Sequence, residues 1–356
     1  MSFDSELNEE NLIDKIQVDE NSYNRLITLL KDRTGLNFKY YNKKFIEKRI
    51  KARIIRVNCN NLDEYFEYIS SNHPEIKKFV DGFTVNYTFF FRDYDVFETV
   101  QDLFIQGLNV SRKDIKSHIK PDPAKLSKFR TKANAVKNLH KSRYLTEKPA
   151  RFYVDVFIFL NQLSYYRKMK KPRSENNCIN IWSCPCATGE EPYSIAMILD
   201  NLETQVPRFP KYRIVASDIA HEAIEKAKIG IYTDDSLKEI SDYYENKYFT
   251  KQKTHFGHNN IIKNRIKDKI EFVEEDVTKG HKLPYKYDII FCRYLLIYFN
   301  RENRHKFLKI IENRLNENGI LILGKTETLF DSWGSLQLVD SSNRIYIKSF
   351  SNIKRF

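Results

Sequence analysis

The chain has 356 residues, of which 41% are hydrophobic, and its formal net charge is +13 at pH 7. This length favours two domains, or one large domain with additions, and allows a sizeable core. No apolar run approaches the roughly 18 to 20 residues that a membrane span needs, and the acidic N-terminus lacks the pattern of a signal peptide, so we expect a cytoplasmic protein that is not embedded in a membrane.

The first part of the chain is predicted to be helical. We expect residues 1–20 to form an acidic flexible terminus and residues 21–84 to form a small all-helical domain, because apolar residues recur at helical spacing. One helix, KKFIEKRIKARIIRV, places basic residues beside an isoleucine stripe. This face is either simply solvated or a docking surface for an acidic partner. The candidate docking residues are Lys48, Arg49, Arg53 and Arg56.

Residues 108–150 are predicted to be an exposed, mobile insertion. The segment has nearby prolines, few aromatic residues and a high charge density. Between Asn109 and Arg151 there are 13 lysines and arginines but only three acidic residues, so most of the net charge of the chain lies in this segment. Such a surplus could attract nucleic acid, but sparse aromatic residues leave few platforms on which bases could stack.

From residue 178 onward, predicted strands alternate with predicted helices. This order is typical of an α/β fold with a doubly wound, mostly parallel sheet, here of seven strands within a domain spanning residues 151–356. The predicted strands are 179–183, 212–217, 269–276, 287–293, 320–324, 336–340 and 344–350. The predicted helices between them are 191–202, 221–228 and 302–315.

Ligands of open α/β sheets bind beyond the carboxyl ends of the strands, near the point where strand order reverses. Asp218 ends the second predicted strand and is placed to accept hydrogen bonds from ribose hydroxyls, and Asp276 could accept from an adenine amino group. The ten glycines contain no GxG pair, which disfavours recognition of phosphate groups. Glu190 and Glu191 would also repel a pyrophosphate, although for these two acids alone capping of a helix is the simpler interpretation.

A cofactor with a ribose, an adenine, a positive charge and no phosphate fits these loops better, and S-adenosylmethionine has these properties. We expect no metal. The five cysteines are odd in number and contain no CxxC pair, which argues against both a disulfide framework and a zinc site.

Six short blocks follow one another along the chain: NYTFFFR (86–92), TGEEPYSIA (188–196), ASDI (216–219), GIY (230–232), IIFCR and IYF (289–299), and LGKTET (323–328). In these blocks and their order, the chain resembles the CheR-type chemoreceptor glutamate methyltransferases. The resemblance implies that residues 85–107 form a linker that covers the cofactor. It also implies a small β-subdomain near residues 249–270, which in the family carries a site for a receptor tail peptide.

Carried over position by position, the resemblance implies a set of cofactor-binding residues. They are Asn86, Thr88, Arg92, Cys186, Ala187, Thr188, Gly189, Glu191, Asp218, Ile219, Asp276, Val277, Arg293 and Tyr294. The chain departs from the family at Pro185, where Gly is usual, and at Tyr294, where Asn is usual. Lys325 and Thr326 replace the family's His and Ser.

The implied reaction transfers a methyl group from S-adenosylmethionine to glutamate carboxylates on the cytoplasmic helical bundle of chemotaxis receptors. A glutamate is already ionised at neutral pH, since its reference pKa is about 4.3, so no strong base is needed. We assign Arg92 to position the carboxylate or the methionine end and Tyr298 to shape the methyl-transfer site. Both roles could instead be structural, for example an ion pair of Arg92 with Glu191.

Two other functions are compatible with parts of the sequence. A nucleic-acid methyltransferase would use the basic insertion, and a catalytically silent receptor-binding module would account for the changes at Tyr294 and Pro185. The retained NYTFFFR, TGEE and ASD residues favour an enzyme, because a scaffold would have little need of them.

Overall fold

The computed structural model describes residues 16–36, 38–82, 88–108, 115, 178–254, 257–280, 282–329 and 334–349. The predicted basic insertion lies almost entirely outside these residues, as do Asn86 and residues 1–15. In the described part of the chain, none of the helices has the length and apolar content that a bilayer crossing requires.

Within the described residues, five helices precede the sheet. They are α1 (Glu20–Thr34), α2 (Lys43–Arg56), α3 (Leu62–Ser71), α4 (His73–Asp81) and α5 (Tyr94–Gly107). Asp19 caps α1 by accepting from the backbone N–H groups of Asn21 and Ser22, and Gly35 ends it in the left-handed conformation. Helices α1 to α4 bury a common apolar core that includes Leu30, Ile50 and Tyr65.

The rest of the chain alternates strands and helices, as predicted. The strands are β1 (Ile179–Ser183), β2 (Tyr212–Asp218), β3 (Ile231–Tyr232), β4 (Phe249–Thr254), β5 (Gly257–Ile262), β6 (Ile270–Glu274), β7 (Tyr287–Cys292), β8 (Leu315–Leu323), β9 (Leu336–Asp340) and β10 (Ile345–Lys348). The helices are α6 (Glu190–Gln205), α7 (His221–Ile229), α8 (Asp242–Tyr248), α9 (Asn264–Lys267) and α10 (Arg301–Arg314).

Seven strands form one sheet in the order β6-β2-β1-β7-β8-β10-β9. The first five are mutually parallel, and β10 is antiparallel to both of its neighbours, so the predicted mostly parallel seven-stranded sheet is confirmed. The chain proceeds from β1 outward to β2 and β6, then returns to the other side of β1 with β7 and β8. The strand order therefore reverses between β1 and β7, which is where an open α/β sheet binds ligands.

A second, three-stranded sheet in the order β3-β5-β4 stands beside the main one. Its hairpin, β4 and β5, lies within the span where the small β-subdomain is expected. The last residue of α8, directly before this hairpin, contacts α6: the hydroxyl of Tyr248 donates to the backbone oxygen of Met197 and to the Asp200 carboxylate.

The helical N-terminal part packs directly on the loop after β7. The backbone N–H of Asn42 donates to the carbonyl of Tyr298 at 2.7 Å, and Tyr41 pairs with Phe299 in an isolated β-bridge. The amide of Asn303 donates to the carbonyl of Lys39 at 2.7 Å. These contacts place the beginning of α2 beside the carboxyl edge of the sheet.

Candidate active site

A cavity of about 210 Å³ lies beyond the carboxyl ends of the central strands, at the reversal of strand order. Most of the predicted site residues line it. These are Thr88, Arg92, Cys186, Ala187, Glu191, Asp218, Ile219, Asp276, Val277, Arg293, Tyr294 and Tyr298. The structure therefore brings together the linker, the loop after β1 and the ends of β2, β6 and β7 around one space.

One end of the cavity, which we call the ion-pair end, is organised by Arg293. Its guanidinium donates to Glu191 at 3.0 Å, to the backbone carbonyl of Arg92 at 2.9 Å and to the carboxylate of Asp93. Ser183, at the end of β1, donates to the other Glu191 oxygen at 2.7 Å. Burial opposes the charge on Arg293, but the charges of Glu191 and Asp93 outweigh it and hold the pKa of Arg293 above its ordinary value.

The other end, which we call the acid end, carries Asp218 and Asp276. Asp218 is 1% exposed and accepts from the backbone N–H of Ala187 at 2.8 Å and of Ala220 at 3.0 Å. Burial nevertheless raises the pKa of Asp218 above its ordinary value, and these N–H donors oppose the rise. Asp276 accepts from both the backbone N–H and the hydroxyl of Thr278.

The linker residues 88–93 cross the sheet edge and enclose the cavity. The N–H of Phe90 donates to the carbonyl of Ser236 at 2.9 Å, and that of Phe91 donates to the hydroxyl of Ser194 at 2.9 Å. Phe90 and Phe91 are fully buried, so their side chains anchor the segment while Arg92 points along the cavity wall. The guanidinium of Arg92 lies 3.8 Å from the ring centroid of Tyr294, within the range of a cation–π contact.

A buried carboxylate, Glu327, fixes the loop after β7. It accepts from the backbone N–H of Tyr294 at 2.7 Å, of Leu296 at 2.7 Å and of Gly324 at 2.7 Å. Three N–H donors on one carboxylate hold the backbone from 294 to 296 in a single conformation. Tyr294 and Tyr298 thereby keep fixed places in the cavity wall.

Tyr298 connects the cavity with α2. Its ring packs on Phe45 with centroids 4.5 Å apart. Burial raises the pKa of Tyr298, and the charges of Arg49 and Arg92 oppose the rise. The phenol therefore stays protonated at neutral pH and can donate a hydrogen bond into the cavity.

Two predicted cofactor residues, Thr188 and Gly189, lie behind the cavity wall. The carbonyl of Thr188 accepts from the hydroxyl of Tyr232, and the hydroxyl of Thr188 donates to Glu190 at 2.7 Å. Gly189 has φ +96°, and a Cβ there would lie 2.8 Å from the Cβ of Ala227. Gly189 thus allows close packing of α6 against α7.

The predicted docking face requires a correction at Arg53. Its guanidinium donates to both Glu75 oxygens, at 2.8 and 2.6 Å, and its side chain is only 15% exposed. Tyr65 donates to the same carboxylate at 2.9 Å. Arg53 is therefore an internal link between α2 and α4 rather than a surface residue, whereas Lys48 and Arg56 are exposed and Arg49 is partly exposed.

Several residues of the site are missing from the sequence-based prediction. Tyr41 comes from the helical part, and burial together with the charges of Asp276 and Asp218 raises its pKa. Asp93 and Ser183 complete the ion-pair end. An acid directly after the NYTFFFR block was a usable signal for Asp93, but no local pattern marks Tyr41.

The wall residues fit S-adenosylmethionine. Each Asp218 oxygen accepts one backbone N–H and retains capacity for a hydroxyl donor. At the ion-pair end the carboxylate of Glu191 lines the cavity, held by the buried guanidinium of Arg293. In the described lining, acids outnumber cations, which suits a cation and opposes a phosphate.

Comparisons with known proteins identify the family of this chain. A family model described as "CheR methyltransferase, SAM binding domain" matches residues 157–345, and one described as "CheR methyltransferase, all-alpha domain" matches residues 21–84. A chemotaxis protein methyltransferase of Borreliella burgdorferi is 27% identical over 88% of this chain and 90% of the relative.

Two further relatives carry the same description. Chemotaxis protein methyltransferase 2 of Vibrio cholerae is 24% identical over 89% of this chain and 88% of its own length. The chemotaxis protein methyltransferase of Escherichia coli is 34% identical over 41% of this chain and 51% of its own length. Because the first family model alone matches more than half of the chain, this protein belongs to the CheR methyltransferase family of S-adenosylmethionine-dependent protein-glutamate methyltransferases.

Proposed function

We propose that this enzyme methylates glutamate side chains on the cytoplasmic helical bundle of chemotaxis receptors and thereby adjusts signalling. The observation that carries the proposal is that Arg92 and Tyr298 line the same cavity as Glu191 and Asp218. The cation that we propose to bind the substrate carboxylate and the acids that we propose to bind the cofactor thus line one cavity. The proposed reaction places the enzyme in the cytoplasm, where the receptor bundle lies.

When bound, S-adenosylmethionine supplies an electrophilic methyl group. The side chains then have to orient a carboxylate and exclude water, and orientation can contribute roughly 7 to 11 kcal/mol. Arg92 is proposed to bind the glutamate carboxylate from the cavity wall, and Tyr298 to donate a hydrogen bond from its protonated phenol. Glu191, held by Ser183 and Arg293, is proposed to face the positive end of the cofactor.

The contacts proposed for the acid end bind the ribose and adenine of the cofactor at the carboxyl edge of the sheet. Asp218 is proposed to accept from the ribose, and Asp276 and Val277 to surround the adenosine. Tyr294 lies at the other end, where its hydroxyl donates to Asp93. Asn86 is proposed to act from the cover segment, but it lies outside the described residues.

The proposed docking surface consists of Lys48, Arg49 and Arg56 on α2. These cations lie on the helix that packs on Tyr298 through Phe45, so an acidic helix bound there would lie beside the cavity. A receptor tail peptide on the β-subdomain is a further proposed contact.

The first test uses methyl-labelled S-adenosylmethionine with a receptor cytoplasmic fragment from the same genome, and RNA from the same cells in a parallel reaction. Mild alkali releases volatile labelled methanol from a carboxyl methyl ester, and this is the expected result for the receptor. Alkali-stable label in the RNA would instead assign the basic insertion to nucleic-acid binding. Label in neither reaction would refute the proposed substrate, and absence of cofactor binding as well would favour a silent module.

A second test addresses docking. Replacing Lys48 and Arg56 with Ala should lower kcat/KM for the receptor fragment about three- to tenfold, more at low salt, because exposed charges steer association. Replacing Lys226 and Lys228, two exposed cations of α7, is the matched control and should leave kcat/KM unchanged. Equal effects from both pairs would remove α2 as the docking surface.

A further inference from the structure

Tyr294 has a backbone conformation that is unfavourable for an aromatic residue. Its φ is +61°, in the left-handed region that bulky side chains seldom adopt. Glu327 holds the backbone there by accepting from the N–H of Tyr294 at 2.7 Å. Gly324 leaves room for the ring, since a Cβ at that position would lie 2.8 Å from Cδ1 of Tyr294. Strain maintained by surrounding contacts is typical of functional positions.

The side chain of Tyr294 makes two contacts with consecutive linker residues. The guanidinium carbon of Arg92 lies 3.8 Å from the ring centroid. The hydroxyl donates to the carboxylate of Asp93 at 2.5 Å. Asp93 in turn pairs with the buried Arg293, so the ring of Tyr294 is fixed at its edge as well as through its backbone.

We propose that Tyr294 is a positioning residue that holds the Arg92 guanidinium against the cavity wall by stacking beneath it. The inference rests on the proposed role of Arg92 in binding the substrate carboxylate. The ring face acts on Arg92, while the hydroxyl fixes the ring through Asp93. Tyr294 therefore acts through another residue and does not need to touch the reacting atoms.

The physical effect of the stack is to restrict a long, flexible side chain. An arginine has several rotatable bonds, and a ring face at van der Waals distance selects the rotamers that place the guanidinium along the cavity. Without the ring, Arg92 would sample more conformations and would bind the carboxylate in the reactive orientation less often. Loss of the stack should therefore reduce kcat and have a smaller effect on the affinity for S-adenosylmethionine.

Three substitutions separate the ring from the hydroxyl. Tyr294→Phe retains the ring face and removes only the bond to Asp93, so kcat should fall by roughly two- to threefold. Tyr294→Leu removes the ring face, and Tyr294→Asn also relieves the backbone conformation, because Asn tolerates positive φ. Both should lower kcat about tenfold, which corresponds to about 1.4 kcal/mol. Urea unfolding of each variant controls for loss of fold.

A double-mutant cycle tests whether Tyr294 acts through Arg92. In the Arg92→Ala background, Tyr294→Leu should cause no further loss of kcat beyond about twofold, because the residue that it positions is gone. A full tenfold further loss in that background would show an independent role for Tyr294 and would overturn the proposal. The same conclusion would follow if Tyr294→Leu raised the KM for S-adenosylmethionine tenfold and left kcat unchanged.

A structural readout is independent of activity. In the protein labelled at arginine, the side-chain resonances of Arg92, assigned with Arg92→Lys, should show an upfield ring-current shift. This shift should persist in Tyr294→Phe and vanish in Tyr294→Leu. If the wild type shows the shift but methylates no receptor fragment, the proposed substrate fails and the stacking stands. If the wild type shows no shift, the positioning role fails whatever the activity.

Discussion

The ion-pair end and the acid end of the cavity hold carboxylates in two different ways. At the ion-pair end, Glu191 and Asp93 share the buried guanidinium of Arg293. At the acid end, Asp218 and Asp276 accept from N–H groups of nearby backbone and from Thr278. The first arrangement joins side chains from α6, the linker and the end of β7, whereas the second is built within the loops at the sheet edge.

Because of this difference, we expect the ion-pair end to contribute mainly to stability and the acid end to contribute mainly to cofactor binding. Arg293 connects three segments that are distant in sequence, so its loss should affect the fold as well as the site. The acids at the other end are held by backbone N–H groups and a hydroxyl, and burial raises the pKa of Asp218. Changes at the acid end should therefore appear first in cofactor affinity.

The largest expected effect is from Arg293→Met. The substitution leaves Glu191 and Asp93 without their shared cation in a buried setting, and removing one partner of a buried ion pair typically costs about 3 to 5 kcal/mol. The free energy of unfolding from urea titration should fall by this amount. Arg293→Lys is the control: it retains the charge, so the loss should be smaller.

Equal losses in the Met and Lys variants would mean that the geometry of the guanidinium, rather than its charge, stabilises the ion-pair end. If neither variant lowered the free energy of unfolding, the ion-pair end would not differ from the acid end in its contribution to stability.

The next largest effect concerns Arg92, which lies beside the ion-pair end. Its guanidinium carbon is 3.8 Å from the ring centroid of Tyr294. Arg92→Ala should lower kcat for receptor methylation by about 10²- to 10³-fold, the range found when one positioned donor is removed. The variant should remain folded, since its side chain is not the buried cation of the site. Normal turnover by a folded Arg92→Ala enzyme would dismiss the catalytic role.

At the acid end, Asp218→Asn should weaken S-adenosylmethionine about ten- to a hundredfold, because hydrogen bonds to a charged group contribute about 1.5 to 3 kcal/mol. Isothermal titration measures this change directly. The free energy of unfolding without ligand should change less than in Arg293→Met. An unchanged affinity would contradict the proposed contact with the ribose.

The pH dependence has a defined sign. Because burial raises the pKa of Asp218 in the folded protein, its protonated form contributes stability below the unfolded pKa, and this contribution is lost as pH rises through the folded pKa. Cofactor affinity should run the opposite way, since the ionised carboxylate accepts the hydrogen bonds. Wild-type affinity should fall as pH decreases toward the raised pKa of Asp218, and Asp218→Asn should lack this component.

Strands, helices and the acids at strand ends could be predicted from the sequence, whereas contacts between residues distant in the chain could not. Each of the seven strands of the main sheet overlaps a predicted strand, but β8 begins at Leu315 where the prediction began at residue 320. Helix α6 begins at Glu190 where a helix from 191 was predicted. Asp218 and Asp276 were predictable because they end strands. Tyr41 and Asp93 were not assigned, because their partners lie more than 170 residues away in the chain. Helical periodicity placed Arg53 near a basic face but could not show its partner, Glu75.

The smallest effect tests whether the two ends are coupled through the loop between them. Gly189 separates Ala187, which donates to Asp218, from Glu191. Gly35→Ala is the matched control, since Gly35 is also left-handed, with φ +69° and ψ 4°, and the nearest atom to a new Cβ there is Nζ of Lys279 at 3.6 Å. Strain at a left-handed backbone conformation costs about 1 to 3 kcal/mol and affects both variants.

Gly189→Ala should lose about 1 to 3 kcal/mol more than this control, because its Cβ would lie 2.8 Å from that of Ala227 and overpack α6 against α7. The displaced loop should move Ala187 and Glu191 together, so cofactor affinity should fall as well. If Gly189→Ala destabilises the fold but leaves the affinity for S-adenosylmethionine as in Gly35→Ala, the two ends are independent. In that case the loop does not couple the ion-pair end to the acid end, and Gly189 contributes only to the packing of α6 against α7.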